Sequence, residues 1–345
     1  MDLSIAAILG LDGITNGAIY ALVAIALVLV FAVTRIIFIP QGEYVAFGAL
    51  TMALFQDGKI PGTVWLLLLM TLIAGAMDGA QAWRERWPLR RLARQAMRTL
   101  VLPLAAIGVT AALAPTKPPL LVQALLTLAL VTPMGPLVYR LAYRSLADSS
   151  VLVLLIVSVG VHFALTGLGL LFFGAEGFRN PPFWDQRFSL GPLAFSGQTL
   201  IIFAASVVLI VALFGFFDRT LSGKALRATS VNRTGARLMG ISTDGAGSLS
   251  FTMAAFIGAL SGLLIGPTAT IYYDSGFLIG LKGFVAAVFA GLTSFPLALA
   301  GAVGVGLIES FGSFWASAFK EVIVFTAILP VLLWRSFFDR DNEEH

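Results

Sequence analysis

The amino-acid sequence predicts an all-α, polytopic integral membrane protein. Of its 345 residues, 58% are hydrophobic and only 12% are charged. The apolar residues form successive runs, most of them close to the roughly 20 residues that a helix needs to cross a bilayer. The 35 glycines are typical of helices that pack closely in lipid. We therefore expect a single transmembrane domain over residues 1–345, with about 9 to 11 transmembrane helices.

Composition also excludes several kinds of site. The chain has no cysteine and only two histidines, so thiolate metal sites and disulfides are excluded and little remains for a metal cluster. We predict no metal, no cofactor and no catalytic residue. The net charge of +4 does not indicate nucleic acid, because basic residues in a membrane protein mainly mark its cytoplasmic side. Lys224 lacks the glycine and hydroxyl spacing of a phosphate-binding loop, which argues against ATP hydrolysis by this chain.

The apolar runs follow one another with short polar interruptions. The predicted spans are residues 14–33, 40–55, 60–77, 100–114, 120–138, 151–173, 199–217, 249–271 and 322–334. A further region, residues 277–311, is rich in glycine and alanine but is interrupted by GLTSFP. Such a pattern predicts either a broken or re-entrant pair of half-length helices or two full spans.

The basic residues predict the orientation of the spans. Residues 82–98 hold six arginines against one acid, which predicts an arginine-rich loop. Most of the lysines and arginines fall on one side of the membrane if this loop lies on the same side as residues 218–244 and the tail, residues 336–345. That side is cytoplasmic by the positive-inside rule. Lys282 is one of the few cations left for the opposite side.

Residues 218–244 form a long polar segment between two apolar runs. The spacing predicts two short helices, with Asn232 capping the second, Arg233 and Arg237 on one of its faces, and Gly240 ending it. A compact polar helix pair of this kind fits a docking surface for a soluble partner. A solvated loop that only fixes topology is the alternative.

One carboxylate lies within an apolar run. Glu43 stands beside Gln41 near the start of the second predicted span, and a carboxylate at that depth is costly enough to suggest a function. The alternative is that Glu43 lies at the membrane interface and pairs with Arg35.

Other polar residues in the spans are expected to be structural. His162 has no carboxylate in its own span and is predicted to be a packed, hydrogen-bonded residue. Glu309 and the Lys320–Glu321 pair lie near span ends and are predicted to be interfacial. Two consecutive GxxxG steps predict helix packing through Gly258, Gly262 and Gly266.

Three stretches carry a resemblance to a known family. They are TNGAIYALVAIALVLVFAVTRIIFIPQGEYVAFGAL (15–50), SGKALRATSVNRTGARLMGIS (222–242) and GFLIGLKGFVAAVFAGLTSFPLALAGAVGVGLIES (276–310). In this order they resemble the inner-membrane permeases of branched-chain amino-acid ATP-binding-cassette (ABC) importers, over nearly the whole chain. The resemblance implies a multi-pass permease of the bacterial cytoplasmic (inner) membrane with a type II-importer-like fold. Residues 79–119 look inserted relative to the family and would add one hairpin.

The resemblance also implies substrates and partners. The expected cargo is a branched-chain amino acid or a related small polar solute, such as urea or a short amide. The expected partners are a second related permease subunit, two ABC ATPase subunits, an extracytoplasmic solute-binding protein and membrane lipid. A self-sufficient channel or an ion-coupled secondary transporter using Glu43 or His162 is the alternative. The scarcity of ionisable residues in the spans weighs against it.

The family's functional segments map onto two parts of this chain. The ATPase-coupling helix maps onto residues 232–240, and the polar step between the first two spans maps onto residues 35–44. The coupling candidates are Gly223, Arg227, Asn232, Arg233, Ala236, Arg237, Leu238, Met239 and Gly240. The substrate-pathway candidates are Arg35, Gln41, Gly42, Glu43 and Tyr44. Phe38, Ile39 and Pro40 depart from the family, which commonly has asparagine, an aromatic and a small residue there.

Overall fold

The computed structural model describes residues 3–86, 88–190, 193–292, 294–327, 329–330 and 333. Its helices are α1 (Leu3–Thr34), α2 (Gln41–Gln56), α3 (Gly62–Arg84), α4 (Leu89–Leu113), α5 (Leu120–Val131), α6 (Met134–Val138), α7 (Val151–Phe173), α8 (Gly197–Arg219), α9 (Leu221–Val231), α10 (Arg233–Leu238), α11 (Thr243–Ile265), α12 (Ser275–Phe289), α13 (Phe295–Ala316) and α14 (Lys320–Thr326). Two short strands, β1 (Arg187–Leu190) and β2 (Leu193–Ser196), pair antiparallel between α7 and α8.

Eight helices of the described residues are long and apolar enough to cross a membrane. They are Ser4–Thr34, Gly62–Arg84, Thr99–Thr116, Leu120–Leu146, Val151–Phe173, Gly197–Arg219, Thr243–Ile265 and Phe295–Thr326. Two shorter helices add to them, the 16-residue α2 and the 15-residue α12. The predicted all-α membrane fold is therefore confirmed.

The centre of the bundle is formed by α1, α2, α11, α12 and α13, which pack against one another. Nearly all of α2 is buried, and so is the middle of α1, residues 19–30. The outer helices expose an apolar face, for example at Phe163 of α7 and Phe214 of α8. Exposed apolar faces suit contact with lipid, because acyl chains are as apolar as these side chains.

Glycines set the close approach of the central helices. A Cβ added to Gly17 of α1 would lie 2.8 Å from the Cα of Val303 in α13. A Cβ added to Gly276 of α12 would lie 2.6 Å from the backbone oxygen of Gly42 in α2. Any larger residue at these crossings would push the backbones apart, which is why the central pairs use glycine.

Two sequence expectations change in the structure. Residues 82–98 do not form a loop: α3 continues to Arg84 and α4 begins at Leu89, so most of the arginines extend helices. The glycine-rich region gives one half-length helix, α12, and one of 22 residues, α13. Left-handed backbone at Gly291 (φ 61°) and Leu292 (φ 58°) ends α12 and makes the turn between them.

The last predicted span is only partly described. In that region α14 covers Lys320–Thr326, whereas the predicted cytoplasmic tail, residues 336–345, lies outside the described residues.

Candidate functional site: the polar helix pair and the buried polar step

Three side-chain caps define the polar segment between α8 and α11. The backbone N–H of Gly223 donates to Thr220 Oγ1 (2.9 Å) at the start of α9, and that of Gly235 donates to Asn232 Oδ1 (2.8 Å) at the start of α10. Ser242 caps α11 in the same way. Such caps satisfy backbone donors that a helix start leaves unpaired. The predicted helix pair and the Asn232 cap are therefore present.

The helix pair is attached to the membrane bundle by α9. Leu226 is buried and packs in a cluster with Leu29 and Val33 of α1 and Ala246 of α11. Gly223 lets α9 come close to the end of α8, where an added Cβ would lie 2.7 Å from the Cα of Phe217. A displacement of α9 would therefore act directly on α1, α8 and α11.

The two arginines of α10 are occupied within the chain. Arg233 Nη1 donates to the backbone oxygen of Ala147 (2.8 Å), and Arg237 Nη2 donates to Asp148 Oδ1 (3.1 Å). Arg237 Nε also donates to Thr243 Oγ1 (2.9 Å) at the start of α11. These contacts tie α10 to the segment before α7, and the expectation that Arg233 and Arg237 also meet acidic or carbonyl groups of a partner stays a prediction.

The surface left for a partner is apolar. Val231 and Met239 are 81% and 83% exposed, and Leu238 beside them is equally open. Val231 and Met239 line a groove of about 490 Å³ between α9 and α10, together with Arg227, Lys224, Ala228, Asn232, Gly235, Ala236 and Ile241. Gly240 (φ 81°) ends the pair. Large apolar side chains on a polar segment outside the spans indicate a binding surface.

The step between α1 and α2 begins with a helix end. Arg35 adopts a left-handed backbone (φ 61°), is exposed, and places its guanidinium 5.8 Å from the ring centroid of Phe31. Gln41 at the start of α2 is fully buried, and its Nε2 donates to the backbone oxygen of Ala254 in α11 (2.9 Å). Arg35 therefore lies in the turn that follows α1, and Gln41 fastens the start of α2 to α11.

Glu43 is buried and pairs with a histidine 119 residues away. Its Oε1 lies 2.8 Å from Nδ1 of His162 on α7, so the alternative pairing with Arg35 is wrong. The other oxygen, Oε2, makes no hydrogen bond of standard geometry among the described residues, although the side chain of Thr166, one turn along α7 from His162, lies close enough to interact with the carboxylate. A buried carboxylate oxygen without a partner is costly, which marks this pair as a functional candidate.

Aromatic side chains fill the space beneath the polar step. Phe38 packs against Tyr44, Tyr143 and Phe251, with ring centroids 4.7 to 6.0 Å apart. The hydroxyl of Tyr44 is buried and has no partner among the described residues. The departure from the family pattern at Phe38 thus places an aromatic residue at the centre of this cluster.

A profile of the family described as "Branched-chain amino acid transport system / permease component" matches residues 96–333, more than half of the chain. The chain belongs to this family. This permease is also 27% identical over 337 residues to the high-affinity branched-chain amino acid transport system permease protein BraD of Pseudomonas aeruginosa, covering 94% of this chain and 92% of the relative. It is 29% identical over 201 residues to the corresponding LivH proteins of Escherichia coli K12 and Salmonella typhimurium, covering 56% of this chain and 65% of each relative. No solved structure matches the chain.

Membership of this family makes the permease a transport component of the cytoplasmic membrane rather than an enzyme. The comparisons support the importer interpretation and give no support to a self-sufficient channel or an ion-coupled carrier.

The permease also buries a charged cluster that the sequence did not predict. Lys282 of α12 places Nζ 2.5 Å from Glu309 Oε1 of α13 and 3.1 Å from Glu321 Oε1 of α14. The Tyr20 hydroxyl of α1 donates to Glu309 Oε2 (2.6 Å). Lys282 and Glu309 are 5% and 8% exposed, so Lys282 is not a loop cation and Glu309 is not interfacial. The only signal in the sequence was a lysine within the apolar stretch GFLIGLKGFVAAVF.

The GxxxG glycines of α11 face α2 and one loop. A Cβ on Gly258 would lie 2.6 Å from Tyr44 Cβ, and one on Gly262 would lie 2.8 Å from the backbone nitrogen of Ala49. Gly266 instead faces the side chain of Asn180, in the loop after α7. The first two glycines bring α11 against the helix that carries Glu43.

Proposed function

We propose that this chain is the permease subunit of an ABC importer for branched-chain amino acids, with α9 and α10 as its ATPase-docking surface. The partners are a second related permease, two ATPase subunits and an extracytoplasmic solute-binding protein. The observation that carries the docking surface is the exposed apolar pair Val231 and Met239 on a capped helix pair fastened to the bundle. Burying each of these side chains against a partner would contribute about 1.5 to 3 kcal/mol.

The contacts of α10 supply a route from this surface into the membrane. Arg233 and Arg237 fasten α10 to Ala147 and Asp148, just before α7 begins. The same helix α7 carries His162, which contacts Glu43 of α2. A push on α10 would therefore move α7 relative to α2 and change the His162–Glu43 contact. In this mechanism ATP-driven closure of the ATPases switches the pathway between outward and inward access.

The test replaces the apolar surface and leaves the anchors alone. The double variant Val231→Asp, Met239→Asp is expected to insert and fold normally but to lose co-purifying ATPase and amino-acid uptake, because two carboxylates would have to be desolvated in the interface. Leu221→Asp is the matched control, since Leu221 is 87% exposed on α9 but lies outside the groove. Wild-type ATPase association in the double variant would exclude this docking surface.

A further inference from the structure

A second cavity lies at the end of the bundle opposite the helix pair. It has a volume of about 760 Å³ and is bordered by the start of α1, the loop after α7, the start of α8 and the end of α13. Asp12 of α1 lines it, whereas Leu29 of α1 packs under α9. These two residues are 17 positions apart, which is about 26 Å along a helix and close to the thickness of the hydrocarbon core. The cavity therefore faces the extracytoplasmic side if the helix pair is cytoplasmic.

Charges of both signs face this cavity. Asp12 and Asp185 contribute carboxylates, and neither has a hydrogen bond or an ion pair with any other described residue. Arg179 and Arg187 contribute guanidinium groups and Lys320 contributes an ammonium group, and Glu309, which is already paired with Lys282, also borders the cavity. A space lined by unpaired carboxylates and by cations matches a zwitterion better than it matches a simple anion or cation.

The guanidinium of Arg179 is held in a fixed position. Its Nε donates to the backbone oxygen of Pro267 (3.1 Å). The flanking backbone is pinned to the segment after α11 by hydrogen bonds between Phe178 and Ile271 in both directions (2.9 and 2.8 Å) and from Asn180 N to Gly266 O (3.1 Å). Holding a guanidinium in place lowers the entropy that is lost when it binds a carboxylate.

The cavity also offers an amide acceptor and apolar walls. Asn180 is 95% buried and lines the cavity, and its Oδ1 has no hydrogen-bond partner in the described part of the chain. Its Nδ2 donates to the backbone oxygen of Ala49 (3.2 Å), which orients the amide. Leu9 and Phe314 supply apolar surface. An aliphatic side chain and a charged headgroup can thus be accommodated in the same space.

We propose that this cavity is the receiving site for a zwitterionic α-amino acid in the permease, with Arg179 binding the α-carboxylate and Asp12 binding the α-ammonium group. The proposal deepens the proposed function and rests on it for the cargo. It locates recognition of the amino-acid headgroup in a single permease subunit, before the solute reaches Glu43.

Ligand-observed NMR on the full chain in detergent tests the site without any ATPase. The probes are L-leucine, 4-methylpentanoate, which lacks the ammonium group, and 3-methylbutylamine, which lacks the carboxylate. L-leucine is expected to bind more tightly than either analogue. Arg179→Gln should weaken L-leucine and 4-methylpentanoate about tenfold, which corresponds to about 1.4 kcal/mol, and leave 3-methylbutylamine unchanged. Asp12→Asn should weaken L-leucine and 3-methylbutylamine and spare 4-methylpentanoate.

Control variants lie on the same end of the bundle but outside the cavity. Lys117→Gln and Asp57→Asn each remove one exposed charge there and should leave all three affinities unchanged. Equal affinity of L-leucine for the wild type, Arg179→Gln and Asp12→Asn would overturn the proposal, and so would the absence of L-leucine binding to the wild type. Loss of binding-protein docking with unchanged L-leucine affinity would instead make this surface a protein contact. A missing ATPase interaction would count against the proposed function alone, because these measurements contain no ATPase.

Discussion

Two of the buried ionic sites in the described part of this permease differ in how many partners surround their central group. Lys282 has two carboxylates within 3.1 Å, and Glu309 is held by both Lys282 and the Tyr20 hydroxyl. Glu321, the outer carboxylate, keeps one buried oxygen without a partner among the described residues. Glu43 has one partner, His162, and one oxygen with none among the described residues. Lys282 joins three helices through its two carboxylate partners, whereas the Glu43–His162 pair joins only α2 and α7. Several partners around one charge rigidify a buried network, whereas a pair with a single partner leaves a polar group available to a mobile partner.

The largest effect is expected from breaking the Lys282–Glu309–Glu321 cluster. Lys282→Met would leave Glu309 buried without its cation, and removing one partner of a buried pair costs about 3 to 5 kcal/mol. The thermal midpoint of the purified permease should fall by many degrees. The double variant Lys282→Met, Glu309→Gln should recover part of that loss, because the stranded charge is gone. A midpoint for Lys282→Met equal to that of the wild type would show that the cluster does not stabilise the bundle.

A smaller loss is expected from the third member of the same cluster. Tyr20→Phe removes only the hydroxyl and keeps the ring that lies 5.7 Å from Lys282 Nζ. A hydrogen bond to a charged group contributes about 1.5 to 3 kcal/mol, so the thermal midpoint should fall less than in Lys282→Met. Transport per folded molecule should stay close to that of the wild type. A transport defect at unchanged stability would show that this cluster takes part in transport rather than only stabilising the bundle.

The Glu43–His162 pair is expected to affect transport with the smallest change in stability. Glu43→Gln keeps the size of the side chain but removes its charge, so uptake should fall about tenfold, the equivalent of about 1.4 kcal/mol in the barrier. The assembled complex and the thermal midpoint should change little. His162→Gln should reproduce the defect, and the exposed Glu176→Gln serves as the control. If uptake by Glu43→Gln matches the wild type, the pair is an ordinary structural contact.

Local sequence patterns were sufficient to predict most of the membrane helices and the polar helix pair α9 and α10. Apolar runs predicted most of the spans, because a helix in lipid pairs its backbone hydrogen-bonding groups internally and needs only a long apolar composition. The Asn232 cap and the stop at Gly240 also follow from residues within a few positions. The prediction of a loop over the arginine-rich residues 82–98 was wrong. Charged residues can continue a helix when they point away from its apolar face, and here they extend α3 and α4.

The sequence by itself determined the class, the spans, the family resemblance and the residues of the polar helix pair, because each depends on composition or on short-range spacing. Only the tertiary structure decided the partners of the charges. Glu43 meets His162, Lys282 meets Glu309, and Arg237 meets Asp148 across 119, 27 and 89 positions of chain. The physical reason is that a buried charge is satisfied by whichever helix packs beside it, and helix packing is set by the whole bundle rather than by neighbouring residues.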